Sequence, residues 1–537
     1  MKLTFTLIVL CFSIELMAQK AGTLDSSFGV DGKVLDTSFN QADCNAMALQ
    51  PDGKILTGGY TDTLTNALHG GFYINRYTSD GSIDGSFGVN GKVIIRQIQG
   101  VIAYSPKTII VQPDHKIVAL GYFLPGKLYS DVGLIRLNED GSLDNTFGTN
   151  GFVLTSISKW DDVLGGMVLQ PDGKIVVAGN KQVDEYTPGP DFVLRYLPDG
   201  TPDESFGDKG QVFTSFPLNS IPGGVVLQPD GKIVTGDEYS GSSSQFQLVR
   251  YNTDGTLDET FGANGFARIK AASGFLSELN SLAIQEDGKF VAAGRYDLFE
   301  PAMALARFNA DGSIDSAFGN LGLGYIYLYS PDVYAIGKSV FVSRGKKIIL
   351  TGFYSKSYAE QVAAVQYNEN GIIDSSFGEY GIAAGSFTNK FGSDITSGLG
   401  LLQPDGKIIV SGCFFRDKNG FKYSVGLVRY ADGLSKKQII VQKIKHYIQT
   451  HNAQATTLNN VPIYPNPAQN VLHVEGLSSN QKTKLTVVDF NGKIAMSYEL
   501  SPMNSSYNLI IASLHAGNYL LKIETNGEVV TKQFVKE

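Results

Sequence analysis

The chain has 537 residues and carries 44 basic against 52 acidic side chains, a formal charge of −8. Hydrophobic residues make up 42% and charged residues 18%, which excludes a disordered chain, and the acidic balance excludes a nucleic-acid partner because no basic surplus exists to neutralise phosphates. Its 61 glycines, with 31 Phe and 26 Tyr beside a single Trp, point to many turns and strands.

Met1-Lys2, an apolar run from Leu3 to Leu16 and then Met17-Ala18-Gln19 predict a secretory signal peptide over 1–18, cleaved after Ala18. A lipoprotein signal centred on Cys11 is the rival reading, but Leu10 stands where a small residue is usual. No other segment reaches about 18 apolar residues, so no transmembrane segment is expected. Only Cys44 and Cys413 remain after cleavage. Two cysteines make no disulfide scaffold, and no metal-ligand spacing occurs, so burial must hold the fold and no metal or cofactor is expected.

One phrase then recurs. Asp-x-x-Phe-Gly places its Phe at 28, 87, 147, 206, 261, 318 and 377, which is 349 residues over six intervals, a period of about 58. Gln-Pro-Asp-Gly-Lys begins at Gln50, Gln112, Gln170, Gln228, Gln285 and Gln403, with His115 replacing the Gly in the second copy, Glu286 the Pro in the fifth, and Arg344-Gly345-Lys346-Lys347 standing in the sixth unit. An Arg precedes Tyr, Leu or Phe at 76, 136, 195, 250, 307 and 429, and the sixth unit has Gln366 there. Three markers in register indicate a repeat architecture.

Each unit reads as four strands. In the third, the strands are Gly166–Leu169, Lys174–Ala178, Phe192–Tyr196 and Gln211–Thr214, with Asp-Gly turns after the first (Asp172-Gly173) and the third (Asp199-Gly200), in which both central residues can take positive φ. Runs such as Thr108–Val111 and Gly223–Leu227 do not alternate, so they are expected to be buried on both faces. Radial stacking of four-stranded sheets meets that need, and the fold expected is all-β: a seven-bladed β-propeller over 19–433, with an open solenoid as the runner-up. The array opens with a lone fourth strand, Phe28–Leu35, and ends with three strands over 399–430. The first fragment is therefore expected to complete the last blade and remove two sheet edges, with Gln438–Val441 as the competing candidate. On that closure Asp25 serves Arg429, as Asp144 serves Arg136, Asp203 Arg195, Asp258 Arg250 and Asp315 Arg307, each pair eight residues apart across one turn. It also makes Cys44 and Cys413 neighbours, as two buried thiols or a disulfide. The marker Phe residues are expected to wedge between blades.

These markers resemble the delta-60 repeat family of bacterial secreted proteins over roughly 24–433 and, at the level of fold only, NHL-type propellers. The resemblance implies a propeller and brings no catalytic residue. Residues 434–460 read as a linker with lysines and polar residues. After it, Pro465-Asn466-Pro467, Asn491-Gly492-Lys493 and Gly517-Asn518-Tyr519 occur in order. Over 461–537 the chain resembles the type A C-terminal sorting domain of the type IX secretion system. Its alternating strands and Asn-Gly turn read independently as a small β-sandwich, immunoglobulin-like in class. The resemblance implies engagement with the type IX secretion machinery, export through the periplasm to the cell surface or medium, and removal of the domain.

Nucleophile-elbow, Cys–His and phosphate-loop patterns are absent, so the expectation is a binding protein rather than an enzyme. Loops between second and third strands carry aromatics: Tyr60, Tyr122, Tyr186, Tyr239, Tyr296, Tyr354 and Phe414, with Asp62, Asp184, Glu185, Asp237, Glu238 and Asp297 among them. Such a rim suits a polysaccharide or a protein partner on a monomeric module. The plainer reading packs these rings onto their own blades. A carbohydrate-active enzyme (glycosidase or lyase) using channel carboxylates is the alternative function, and a passive surface protein a third.

Overall fold

The repeat is written in its turns. Gln50 N donates to Lys54 O (2.8 Å) and Gly53 N to Gln50 O (2.9 Å), so Pro51 and Asp52 occupy the centre of a type I turn and Gly53 follows at φ +88°. The expectation that Asp and Gly both turn left-handed is corrected: the proline ring keeps its φ negative, and only the third residue crosses over. Where that glycine is lost, His115 (φ +67°) and Lys346 (φ +59°) take the same conformation.

The structure is a computed structural model. It describes residues 19–432 except 40, 63–69, 127–128, 186, 216–218, 241–243, 272–274, 298–300, 320–324, 329–332, 344, 357–358, 388–396 and 416–422, and residues 463–536 except 466–467, 476, 478–481, 490–493, 502–505 and 526–527. The signal peptide, the linker, Gln438–Val441, Tyr186, Asn466, Pro467, Asn491, Gly492 and Lys493 thus lie outside the described residues. The described chain forms two compact units, Lys20–Asp432 and a second whose strands lie within 463–536.

In the first unit the strands form antiparallel four-stranded meanders. The third repeat gives Asp162–Leu169, Ile175–Gln182, Pro188–Tyr196 and Gln211–Thr214 in spatial order. Successive first strands touch one another in a cycle: Ala46–Leu49, Val101–Val111, Asp162–Leu169, Asn219–Leu227, Phe275–Ile284, Val333–Val342 and Gly400–Leu402, the last returning to Ala46–Leu49. Third strands such as Asp131–Leu137 and Ala302–Phe308 are buried throughout, between neighbouring sheets. The first strands are not, contrary to expectation for Thr108–Val111: they are innermost, so one side faces the axis and stays partly open. Five of them also hold extra, bulged residues, as between Pro106 and Thr108 and between Gly337 and Ser339.

The N-terminal strand closes the cycle. Lys33–Asp36 pairs antiparallel with Tyr423–Tyr430, Lys33 opposite Val428 and Asp36 opposite Val425. Gln41–Ala42 adds a second seam, lying beside both Tyr423–Tyr430 and Ile55–Asp62. The last blade thereby gains its fourth strand from the start of the chain.

The three sequence markers converge on one node in each sheet. Arg195 Nε donates to Asp203 at 2.7 Å, the turn residue Lys174 pairs with the same oxygen at 3.2 Å, and the guanidinium lies 4.3 Å from the Phe206 ring. Arg195 also reaches into the next sheet, to Thr253 O at 2.6 Å. The expected Arg–Asp pairing is thus present, and the node explains why Gln366 is tolerated: Lys347 bonds both Gln366 Oε1 (3.1 Å) and Asp374. The marker Phe residues are fully buried and wedge as expected. Phe147 packs on Gly200 of the following repeat, where a Cβ would come within 2.8 Å of its ring, and Gly200 (φ +87°) could hardly be anything else. The same link joins Phe28 to Gly81, and the last one returns to the start, Gly378 N donating to Ala21 O at 2.9 Å.

The second unit has a three-stranded sheet (Ile463–Tyr464, Val471–Glu475, Ser506–Ile510) and a four-stranded one (Ile494–Leu500, Thr483–Asp489, Gly517–Thr525, Glu528–Lys536). Leu472, Val474 and Leu509 of the first share one buried cluster with Leu485, Val487, Leu521, Ile523 and Phe534 of the second. Tyr519 stacks on Phe534 (5.7 Å) and donates to His515 O at 3.0 Å, so this signature residue has a packing role.

Candidate functional site

In a meander the first strand of a blade starts, and the second ends, on the same face. The pairings Phe275 opposite Asp297 and Val333 opposite Lys356 fix that face here. The opposite face carries the Arg–Asp–Phe nodes, whose groups are consumed in structure. A functional surface is therefore sought on the first face, where the non-repeating residues collect.

The residues singled out from sequence separate into three groups. Tyr60, Tyr122 and Tyr354 are half-buried. Tyr60 packs against Tyr104 at 5.2 Å, Tyr122 Oη accepts from Leu164 N at 3.3 Å, and Tyr354 Oη donates to Gln361 Oε1 at 3.1 Å. Tyr239 (9% exposed), Tyr296 (1%) and Phe414 (4%) are core residues, a correction to their expected place on the rim. They lie inside second strands rather than in the loops after them, so their rings turn into the space between blades. Tyr239 is covered by Arg268 at 4.1 Å, Tyr296 sits in a cluster with Phe290 and Leu276, and Phe414 stacks on Phe387 at 5.9 Å. Tyr186 lies outside the described residues.

The exposed rings come from elsewhere. Tyr104 (49%), Phe275 (43%) and Tyr334 (37%) stand near the entry ends of first strands in the second, fifth and sixth blades. Tyr334 lies 6.1 Å from Phe353, and between the second and third blades Tyr129 meets Trp160 edge-on at 4.7 Å. The repeat specifies no residue at these entry positions, so an aromatic there is not required by the repeat's own packing. That is the signal a sequence reading focused on the second-to-third-strand loops passes over.

Charge is concentrated between Phe275 and Tyr334. Arg295 pairs with Glu278 (2.5 Å) and Asp297 (2.8 Å), Ser277 donates to Asp297, and Glu278 N donates to Glu238 Oε2 at 2.7 Å. Glu278 holds φ +46° inside the bulge of its strand, a strained conformation for a residue with a Cβ. Burial raises the Tyr334 phenol; Arg295 opposes this while Glu278, Asp297 and Glu360 add to it. Glu278 and Asp297 thus pair with Arg295, Asp297 also accepts from Ser277, and Glu238 accepts from a backbone amide.

Elsewhere the acids are structural. Asp191 and Asp237 share a buried site between the third and fourth blades, Asp191 accepting from Asn180 (2.7 Å) and Ser220 (3.0 Å). Cys44 and Cys413 are both buried thiols, near enough that burial first and then the other thiol raise the Cys44 pKa. Among the described residues no group of three or more His, Cys, Asp or Glu is placed to hold a metal ion, and no helix is long and apolar enough to cross a membrane.

Family comparison agrees with this architecture. The Domain of unknown function (DUF5122) beta-propeller model matches 50–87, 112–147, 170–206, 228–261, 285–318 and 403–430, and the secretion system C-terminal sorting domain matches 462–537. The chain is a β-propeller protein with a type IX C-terminal sorting domain. That domain indicates export to the cell surface or beyond, and engagement with the secretion machinery. No curated protein matches this propeller protein. Among solved structures it is similar to the polysaccharide lyase Uly1 (11% identity, 73% of this chain and 90% of that one, TM-score 0.40). It is also similar to a protein of unknown function from Dyadobacter fermentans DSM 18053 (12%, 75% and 98%, 0.37) and to a PL25 ulvan lyase bound to -[GlcA(1-4)Rha3S]- (10%, 75% and 98%, 0.42). At these scores none of them bears on the ligand.

Proposed function

We propose that this protein is an exported recognition module whose propeller binds a polysaccharide through the aromatic rings at the entry ends of its innermost strands. One observation carries the reading: Tyr104, Phe275 and Tyr334 expose 49%, 43% and 37% of their surface on one face, whereas Tyr239, Tyr296 and Phe414 are buried. A ring with this much exposed apolar surface is a surface cost unless something covers it, and the flat apolar face of a sugar stacks well on such rings. Charged residues beside them, Arg295 above all, supply hydrogen bonds to hydroxyls. An enzymatic reading is weaker, because Glu238, Glu278 and Asp297 are already engaged where an acid and a base would need to be free.

The test is a glycan array probed with the full chain and with a Tyr104→Ala/Tyr334→Ala variant. Wild type is expected to retain specific polymers and the variant to lose them at least tenfold with an unchanged melting curve. Equal retention by both proteins removes the rim as the binding surface.

A further inference from the structure

The exposed rings are not spread evenly around the cycle. Phe275 and Tyr334 stand on neighbouring blades, the fifth and sixth, at the start of their innermost strands, Phe275 opposite Asp297 and Tyr334 opposite Ser355. Tyr104 stands on the second blade, where it is the extra residue of the bulge between Ala103 and Ser105. From the sixth blade to the second is three steps one way round the cycle and four the other, so the two groups lie on opposite sides of the axis. Among the described residues no other innermost strand carries an exposed ring.

Each group is a built platform. Tyr104 rests on Tyr60 of the first blade at 5.2 Å, and Tyr334 on Phe353 of its own blade at 6.1 Å, in each case a more exposed ring backed by a less exposed one. Packed sheets lie about 10 Å apart, so innermost strands three sheets apart on a closed ring are separated by on the order of 20 Å. A single sugar covers one platform and cannot touch both. A longer chain held at one platform meets the other as an intramolecular event, at high effective concentration, and gains affinity that a short one does not. A chain that is straight before it binds keeps most of that gain, because straightening a flexible one on the protein costs entropy.

We propose that the ligand is an extended, linear polysaccharide bound by an internal stretch, which crosses the mouth of the propeller from the Tyr60–Tyr104 platform to the Phe275–Tyr334 platform. This rests on the polysaccharide reading above and narrows it to stiff, ribbon-like chains of the cellulose, xylan and mannan kind, against small sugars, chain ends and coiled polymers. Such a ribbon presents the apolar faces of its sugars along its whole length, so one chain offers a stacking face to both platforms.

The experiment titrates the full chain, Tyr104→Ala and Tyr334→Ala by calorimetry with the disaccharide and the hexasaccharide of cellulose, of xylan and of mannan, and with those of dextran as the flexible control. At least one ribbon hexasaccharide is expected to bind wild type tenfold or more tighter than its disaccharide, and the dextran pair to differ less than twofold. Either substitution is expected to leave the melting curve unchanged and to bring that hexasaccharide within about threefold of its disaccharide, because one platform alone cannot read length. Equal affinity for the short and the long ribbons in wild type overturns the crossing, as does a length dependence that survives Tyr334→Ala, or a preference for the dextran hexasaccharide over every ribbon. Length-independent binding that Tyr104→Ala weakens tenfold leaves the rim standing and removes only the crossing. Absence of binding to any carbohydrate, in this series and on the glycan array, defeats the polysaccharide reading and the crossing with it.

Discussion

Arg429 Nε donates to Asp25 Oδ2 at 2.9 Å across 404 positions of sequence, and both side chains are nearly buried. The pair is the node of the last blade, completed by a residue from the start of the chain. Lys407 shares the carboxylate at 2.8 Å. Burial raises the Asp25 pKa, but hydrogen bonds from Lys407 and Ser27 and the Arg429 charge outweigh it and bring the value down to about 2. Asp25→Ala leaves the Arg429 charge buried without its acid, a loss of about 3–5 kcal/mol. A drop in melting temperature larger than that of an exposed Asp31→Ala control is expected. Because the folded pKa lies below the unfolded one, the contribution is full above about pH 4 and fades as pH falls toward 2. A wild-type melting profile flat down to pH 2 contradicts this account.

Phe147 tests the wedge. Removing a buried ring costs about 3–5 kcal/mol. Phe147→Ala should lower the melting temperature without altering ligand preference. Gly200→Val attacks the same contact from the other side, adding a left-handed strain and a clash with the Phe147 ring. The Gly200→Val protein is expected to be the less stable of the two by differential scanning calorimetry, and a wild-type melt from either removes the wedge.

Ring closure and the node were legible in sequence because they repeat. Asp25 could be assigned to Arg429 by spacing alone, since the same eight-residue interval joins Arg195 to Asp203 within one blade. The rim was not legible. Tyr296 and Phe414 follow repeat positions as closely as any surface residue, and only the direction of the ring, which depends on which strand register extends past the glycine, buries them. Tyr104 and Tyr334 follow no repeated pattern, so nothing in the repeat marks them.

Tyr296 and Tyr104 therefore should behave in opposite ways. Tyr296→Ala opens a cavity beside Phe290 and is expected to cost about 3–5 kcal/mol with binding of the surviving folded protein retained. Tyr104→Ala removes a half-exposed ring and is expected to shift stability by less than about 1 kcal/mol while weakening polysaccharide binding. Chemical denaturation with parallel affinity measurements separates the two, and a reversed pattern returns the rim to the second-strand aromatics.

The buried acids of the third and fourth blades set a pH dependence of opposite sign to that of Asp25. Burial raises both Asp191 and Asp237, and the neighbouring Asp191 carboxylate raises Asp237 further. Asp162 acts in the same sense, raised to about 7 mainly by burial with Asp131 adding. A folded pKa above the unfolded value stabilises the protein at low pH, and the contribution disappears as pH climbs through the folded value, so the first loss is expected near pH 7. Asp237→Asn removes one of the two raised carboxyl groups and leaves at that position an amide that does not ionise. Its melting temperature should fall less steeply than that of wild type between pH 7 and pH 9, while the acid limb governed by Asp25 stays in place. A variant as steep as wild type above pH 7 shows that this pair does not control the alkaline limb.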